Sequence, residues 1–239
     1  MKKLLIWVSA IVFSASAFAQ TSNNWKQDAM NKAGDHLMIQ LTSDHWAGAP
    51  DSITNHMGGI SRGLNISFMM SKPFKTNPKW SVAFGLGISN SNIFFKKMGV
   101  QLDATTTKLP FVNQDSSNSF KKYKLATTFL EIPVELRFAL HPEKEKSSWK
   151  FAIGAKLGTL LDAHTKGKTL QNKSGTTIGS YKEKLSRKSY FNSSRIAFTA
   201  RAGIGNFSLF GSYTITKLLK DGAGADIRPY QIGVCISGL

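Results

Sequence analysis

The sequence predicts an all-β protein, an eight-stranded antiparallel up-and-down transmembrane β-barrel with long outer loops and short periplasmic turns. Three observations predict this class. Segments in which apolar and non-apolar residues alternate recur eight times along the chain. The connections between these segments are long and short in turn. The non-apolar face of the segments consists mostly of glycine, alanine and serine, which suits a narrow lumen and not a solvated exterior.

The beginning of the chain has the order of a cleavable secretory signal. Lys2 and Lys3 precede an apolar run, and Ala17-Phe18-Ala19 stands before Gln20. We therefore expect residues 1–19 to be removed after export through the Sec pathway. Residues 20–34 are expected to form a flexible lead, and residues 35–239 to form the barrel domain. After the signal, no run is long and apolar enough for a membrane helix.

The composition limits the partners that the protein can have. The chain holds 31 Lys and Arg against 14 Asp and Glu, a formal net charge of +17. In an exported protein this balance favours anionic lipid head groups, and not nucleic acid, as the binding partner. The expected partners are outer-membrane lipid and lipopolysaccharide, together with the barrel-assembly machinery during insertion. No cofactor is expected, and the single Cys235 excludes an internal disulfide.

The first four predicted strands span residues 36–46, 60–70, 80–89 and 123–140. Each has one apolar face, formed in strand order by Leu37, Ile39 and Leu41; by Leu64, Ile66, Phe68 and Met70; by Trp80, Val82, Phe84, Leu86 and Ile88; and by Leu130, Ile132, Val134, Leu136, Phe138 and Leu140. The fourth strand is the most regular. Pro133 on its other face cannot donate to a ladder, so we expect a bulge or a break in pairing there.

The last four predicted strands span residues 149–161, 195–204, 207–218 and 228–239. Their apolar faces are formed in strand order by Trp149, Phe151, Ile153, Ala155 and Leu157; by Ile196, Phe198, Ala200, Ala202 and Ile204; by Phe207, Leu209, Tyr213 and Ile215; and by Tyr230, Ile232, Val234 and Ile236. Phe210 departs from this pattern, because it falls on the face of small residues.

The lengths of the connections predict the orientation. Residues 47–59, 94–122, 162–193 and 217–227 are long or moderately long, whereas residues 71–79, 141–148 and 205–206 are shorter. In outer-membrane barrels the long loops face outward, and the short turns and both termini face the periplasm. Gly205-Asn206 fits a two-residue hairpin that places glycine first.

Aromatic residues mark the places where strands meet the short turns. They are in phase with the apolar faces and are Phe68, Trp80, Phe138, Trp149 and Phe207. We expect them to form the periplasmic girdle of a membrane barrel, with Trp46 and Tyr230 as candidates for the outer girdle. Alternation alone would also fit a soluble barrel with an apolar lumen, but these positions and the small residues favour the membrane barrel.

Charged residues on the non-apolar face are expected to point into the lumen and to pair there. They are Glu131, Glu135, Arg137, Lys150, Lys156 and Arg201. If the hairpin over residues 141–148 pairs Phe138 with Trp149, then Glu131 faces Lys156 and Arg137 faces Lys150. Salt bridges would then plug the lumen. The alternative is a selective polar pore, but eight strands leave an interior that side chains just fill.

The third long loop is basic and is a candidate for binding anions. Its cations are Lys166, Lys168, Lys173, Lys182, Lys184, Arg187 and Lys188. A run of charge is most often a solvated surface. The alternative is contact with the phosphates of lipopolysaccharide, or with an acidic partner, through charge-assisted hydrogen bonds.

Three stretches of the chain resemble the PorT-like outer-membrane β-barrel proteins of the Bacteroidetes. They are Phe-Leu-Glu-Ile-Pro-Val-Glu-Leu-Arg-Phe at residues 129–138, Phe-Ala-Ile-Gly-Ala-Lys-Leu-Gly at residues 151–158 and Arg-Pro-Tyr-Gln-Ile-Gly at residues 228–233. The resemblance implies an eight-stranded barrel in the outer membrane. One branch of that family assists the type IX secretion machinery, while most of its members have no assigned role.

Three classes of function therefore stay open. The first is an interaction protein that serves secretion-apparatus or assembly proteins, and the second is an adhesin or lipopolysaccharide-binding barrel that acts through its basic loops. The third is an outer-leaflet lipid A-modifying enzyme, which would need a histidine and a serine together on the outer rim. His164 lies near that rim, but its neighbours in sequence are Ala163 and Thr165. Because the histidines also lack metal-ligand spacing, a structural or interaction role is favoured over an enzyme.

Overall fold

The computed structural model describes residues 37–142 and 147–238. The predicted signal peptide, the predicted lead, His36 of the first predicted strand and the final Leu239 lie outside these residues. Within the described ranges, no helix has the length and apolar character needed to cross a membrane.

The described chain is almost entirely β-structure. In chain order the elements are β1 (Leu37–Ala47), α1 (Asp51–Thr54), β2 (Arg62–Pro73), β3 (Trp80–Phe95), β4 (Met98–Val100), β5 (Phe111–Asn113), β6 (Ser119–Ala139), β7 (Trp149–Gln171), β8 (Thr177–Ser186), β9 (Ser194–Ile204), β10 (Phe207–Thr214) and β11 (Arg228–Ser237). Strands β1, β2, β3, β6, β7, β9, β10 and β11 form an antiparallel ring, which β1 closes by pairing with β11. The predicted fold class is confirmed.

The two faces of the ring differ as the alternation predicts. Outward side chains are apolar and exposed, as Ile153 is at 64%, whereas inward side chains such as Lys156 are buried at 2% exposure. A closed ring also pairs the backbone groups of its strands with one another, which lipid requires because it offers no hydrogen bonds. The exterior therefore suits a bilayer, and the interior holds the polar groups.

The short and long connections lie at opposite ends of the barrel, as predicted. Residues 74–79, 140–148 and 205–206 connect strands at one end, where β1 begins and β11 ends, and the long connections lie at the other end. Ile204 pairs with Phe207, so Gly205-Asn206 is the predicted two-residue hairpin. Gly205 has a φ of 59°, which favours glycine at this position.

The register between β6 and β7 differs from the predicted one. Phe138 lies opposite Phe151, and Arg137 lies opposite Ala152. The turn begins at Leu140, whose N–H donates to the carbonyl oxygen of Trp149 at 3.0 Å. The predicted pairing of Phe138 with Trp149 is therefore wrong by two residues. Such a shift leaves every side chain on its original face, so alternation could not reveal it.

Two irregularities interrupt the ladders of β6. Opposite Pro133, the pairing with β3 stops between Phe84–Val134 and Gly87–Glu131 and resumes in the same register. This is the expected break in pairing, because proline lacks the donor. On the other side, Thr128 pairs with Asp162 and Phe129 with Leu160, so Leu161 is the extra residue of a β-bulge in β7.

Strands continue beyond the barrel at the end that carries the long connections. β6 and β7 are longer than predicted, and β8 adds a third strand to them, with Thr165 opposite Leu185. The prediction of a loop over residues 162–193 is wrong for most of that segment. We name this three-stranded extension, formed by residues 119–127, 164–171 and 177–186, the outer sheet.

The remaining long connections fold over the mouth of the barrel. Their apolar side chains and those of the adjoining barrel strands form one buried cluster, the apolar cap, which includes Trp46, Ile53, Phe95, Met98, Leu102, Leu109, Phe129, Leu160, Phe191, Leu219 and Ile227. Trp46 is 8% exposed and its ring lies 5.8 Å from that of Phe95, so its predicted place in an outer girdle is wrong. Within the long connections, His56 Nε2 lies 3.2 Å from Asp115, and this hydrogen bond lowers the pKa of the Asp115 carboxyl.

Candidate functional site

Glu131 organises the middle of the lumen. It is 2% exposed, and its carboxylate binds the guanidinium of Arg195 and lies 3.6 Å from Lys156 Nζ. Its direct partner in the ladder is Gly158, which leaves room for the side chain of Glu131. The alternation places Arg195 on the lumen face but does not identify it as a member of this cluster. One carboxylate thus lies between two buried cations.

Glu135 has the same arrangement nearer the short turns. Its Oε2 accepts hydrogen bonds from Arg137 Nε at 2.9 Å and from Arg201 Nη2 at 3.0 Å. Arg137 therefore pairs with a residue of its own strand and not with Lys150, which lies opposite Ala139. The predicted contact between Arg137 and Lys150 is wrong because it depended on the predicted register.

Neutral polar side chains join these charges to the opposite wall of the barrel. Gln40 Oε1 accepts hydrogen bonds from Lys156 Nζ at 3.0 Å and from Asn65 Nδ2 at 3.1 Å. Ser89 Oγ donates to Asn65 at 2.7 Å and accepts from Arg195 at 3.0 Å. No pattern in the sequence indicates that Gln40, Asn65 and Ser89 join the charged residues, because alternation shows only that they lie on the lumen face.

A small apolar cluster packs beside these polar groups in the lumen. Phe210, which departs from the alternation of its strand, is buried with Met38, Met69, Ala83 and Cys235, and its ring lies 4.9 Å from Lys156 Nζ. Beside Asp44 there is a cavity of about 10 Å³, room for no more than one water molecule. The lumen is a packed interior, and the apolar cap lies over its outer mouth.

We therefore expect no porin-sized conductance from the purified protein. In planar bilayers, it should leave the current at baseline under conditions in which a porin control opens reproducible channels. The physical reason is that Glu131, Glu135 and their cations occupy the cross-section of the barrel. Reproducible channels of porin size would contradict this description of the lumen.

The outer sheet carries the predicted cationic residues in an ordered array. Lys166 lies between Lys124 and Lys184, and Lys168 lies between Lys122 and Lys182, so two rows of three lysines share one face. We name them the lysine rows. Lys166 and Lys168 are exposed, whereas the intervening Gly167 is buried. The rows therefore face away from the barrel axis, on the same side as the lipid-facing residues below.

The other predicted cations lie outside the rows. Arg187 Nη1 donates to the carbonyl oxygens of Asp103 at 3.1 Å and Ala104 at 3.2 Å, so it joins the outer sheet to the connection between β4 and β5. Lys173 is exposed in the turn between β7 and β8, and Lys188 is exposed after β8. Only Lys166, Lys168, Lys182 and Lys184 of the predicted set are brought together, and Lys122 and Lys124 join them.

A cluster of Asp162, His164 and Ser186 lies where β7 changes partner. Thr159 is the last residue of β7 that pairs with β9, and His164 pairs with Ser186 of β8. His164 Nδ1 lies 2.6 Å from Asp162 Oδ2, and Ser186 Oγ donates to Asp162 Oδ1 at 2.7 Å. We name these three residues the fork cluster. The sequence points to His164 alone, because its partners become visible only when β8 is paired with β7.

The predicted girdle residues lie at the short-turn end. Phe68, Trp80, Trp149 and Phe207 are exposed on the outer surface, and the half-buried ring of Phe138 lies 4.9 Å from that of Trp80. Their place at the membrane interface stays a prediction. Among residues 37–142 and 147–238, no group of three or more His, Cys, Asp or Glu side chains could hold a metal ion.

A closed barrel with an apolar exterior and a polar, packed interior is the architecture of an integral outer-membrane protein. A family model described as an outer membrane protein β-barrel domain matches residues 18–216. The chain belongs to this family, and its location is the outer membrane.

The chain also resembles two solved structures of Ail, the attachment invasion locus protein of Yersinia pestis. A crystal structure of Ail in complex with the heparin analogue sucrose octasulfate is 15% identical and aligns over 84% of this chain and 96% of that chain, with a TM-score of 0.35. A backbone structure of Ail in a phospholipid bilayer nanodisc is also 15% identical and aligns over 84% and 98%, with a TM-score of 0.31. Among curated proteins, none matches the chain.

Proposed function

We propose that the protein is an outer-membrane interaction protein whose lysine rows bind the phosphate groups of lipopolysaccharide. The observation that carries this proposal is the alignment of like charges across β6, β7 and β8. Like charges directly opposite each other destabilise a sheet, so the array is unfavourable for folding alone. A polyanion that lies across it would remove the repulsion.

The position of the lysine rows fits this ligand. Leu161, at 44% exposure, is the last exposed apolar residue on the outer surface of β7. Lys166 lies five residues further on, about 16 Å along the strand. Because the rows face outward from the barrel, they would meet the head groups of neighbouring lipids and not a ligand above the cap.

The spacing of the rows fits a ligand that carries several phosphates. Adjacent strands lie about 5 Å apart, and alternate residues of one strand about 7 Å apart. Lys166 therefore has Lys124, Lys168 and Lys184 within reach of the same group of phosphates. Each lysine near an anionic surface contributes about 1 kcal/mol, and the contribution falls as salt rises.

The proposal is tested by the triple variant K166Q/K168Q/K184Q. We expect its affinity for lipopolysaccharide to fall at least tenfold and to depend less on salt, because three of the lysines that face the head groups lose their charge. Binding would be measured on the full protein in phosphatidylcholine nanodiscs, with intact and dephosphorylated lipopolysaccharide as ligands.

The matched control is K72Q/K75Q/K79Q, which removes three exposed lysines at the short-turn end. This control should bind as the unchanged protein does, and both variants should keep the heat-dependent gel mobility of a folded barrel. Unchanged binding by the first variant, or an equal loss in the control, would refute the proposal.

A second candidate function is an accessory role in a secretion apparatus. Its support is the resemblance of residues 129–138, 151–158 and 228–233 to PorT-like proteins. Recovery of secretion-apparatus proteins when the full protein is purified from its own membranes would favour this role. Normal secretion after deletion of the gene would count against it.

A further inference from the structure

We propose that the fork cluster is a serine-hydrolase site that acts on acyl esters of outer-leaflet lipids. The proposal does not depend on whether the lysine rows bind lipopolysaccharide, since the bond cleavage occurs at three other residues and the rows contribute only positive charge near them. Its elements are an acid, a base and a hydroxyl on two paired strands, connected by hydrogen bonds of 2.6 and 2.7 Å.

The contact between His164 and Asp162 gives the imidazole the properties of a general base. Asp162 Oδ2 lies 2.6 Å from Nδ1, which fixes the tautomer with the proton on Nδ1 and leaves Nε2 as the acceptor. The same relation between a carboxylate and a histidine orients the base in serine hydrolases that have unrelated folds. The His164 side chain is 16% exposed, so packing also restrains the ring.

Ser186 is placed to supply the nucleophile. It lies directly opposite His164 in the β7–β8 ladder, so the two Cβ atoms are about 5 Å apart on one face. Its hydroxyl donates to Asp162 at 2.7 Å. The nucleophilic role requires the hydroxyl to exchange this hydrogen bond for one to the imidazole, by rotation about χ1 to another staggered rotamer. Such contacts are often looser before substrate binds than during the reaction.

The location of the fork cluster selects the substrate class. Asp162 follows Leu161, the last exposed apolar residue on the outer surface of β7. The cluster therefore lies just above the apolar band, where the acyl chains of a membrane lipid join their head group. Polar Asn90 and Thr128 lie beside Asp162 at this level, and their side chains are hydrogen-bonded at 2.9 Å.

The reaction balances with water as the second reactant. His164 Nε2 takes the proton of Ser186 as its oxygen attacks the ester carbonyl carbon. The alcohol then leaves with the proton from His164, and an acyl-serine forms. Water attacks this ester through the same base, which releases a fatty acid and restores Ser186. Lys166 and Lys184, two residues away on the same face, supply positive charge for the oxyanion.

The test uses a fluorophosphonate probe, which reacts with activated serines, on the full protein in lipid vesicles. We expect labelling, and mass spectrometry of the labelled unchanged protein should place the adduct on Ser186. S186A should abolish labelling, and H164Q should slow it at least a hundredfold. S180A, which removes another exposed serine of β8, should label normally.

Site mapping on the unchanged protein does not depend on how any variant folds. No adduct on the unchanged protein, or an adduct on a residue other than Ser186, would overturn the proposal.

Discussion

Replacing Glu131 with glutamine is expected to lower the free energy of unfolding by about 3–5 kcal/mol. The carboxylate is 2% exposed and lies between Lys156 and Arg195, which are also buried. Glutamine keeps the size of the side chain but leaves two cations in the lumen without a counter-charge. An uncompensated buried charge costs several kcal/mol, because its hydration is lost and nothing replaces it.

Removing a cation of this cluster, and not the carboxylate, should lower the free energy of unfolding by much less. K156M removes one of two cations from a cluster that has a single carboxylate, so Glu131 keeps Arg195 as its partner. Methionine is apolar and of similar length, and it would pack against Phe210, whose ring lies 4.9 Å from the ammonium group. We expect a loss below about 1.5 kcal/mol.

Both values can be measured by urea titration of the protein in lipid vesicles, followed by tryptophan fluorescence. E183Q is the matched control, since it makes the same change at an exposed carboxylate of β8 and should stay within about 0.5 kcal/mol of the unchanged protein. Equal losses for E131Q and K156M would contradict the charge asymmetry described for the cluster.

Replacing Val134 with arginine is expected to impair membrane insertion and to cost about 2–4 kcal/mol. Val134 is 43% exposed and lies midway along the apolar outer face of β6, between Leu130 and Phe138. The side chain points away from the packed lumen, so a larger residue meets no protein atom inside the barrel. The cost arises because a guanidinium at this depth would lie in hydrocarbon.

An arginine introduced into the outer sheet separates the effect of burial in hydrocarbon from any general effect of arginine. Thr177 is exposed at the start of β8 in the outer sheet, and T177R should fold and insert normally. Insertion would be measured by the recovery of heat-modifiable protein in outer-membrane fractions. Normal recovery of V134R would show that this face of β6 does not contact lipid.

The barrel is predictable from the sequence because lipid imposes a strict pattern on its strands. Every second residue must be apolar where a strand crosses hydrocarbon, so alternation alone places Leu41, Val134 and Ile153 on the outer face, where all three are exposed. The same rule places Glu131 and Glu135 in the lumen. Their partners depend on the register between strands. Alternation cannot identify that register, because a shift of two residues leaves every side chain on the same face.

The outer sheet could not be predicted in the same way. On β7 it lies beyond Leu161, the last exposed apolar residue, so apolar alternation does not continue there and Thr165-Lys166-Gly167-Lys168 reads like a polar loop. The fork cluster could not be predicted for a related reason. His164 and Ser186 become neighbours only through the pairing of β7 with β8, and nothing in the composition of residues 162–193 signals that pairing.

The bulge at Leu161 shifts the inward and outward alternation of β7 by one residue. Below it, even-numbered residues such as Lys156 and Leu160 point to the barrel axis; above it, odd-numbered residues such as Ala163 and Thr165 do. Without the extra residue, Lys166 and Lys168 would point towards the barrel axis and not away from it. One added residue therefore changes which residues of β7 face outward, so the outer surface of this strand is apolar below the bulge and cationic above it.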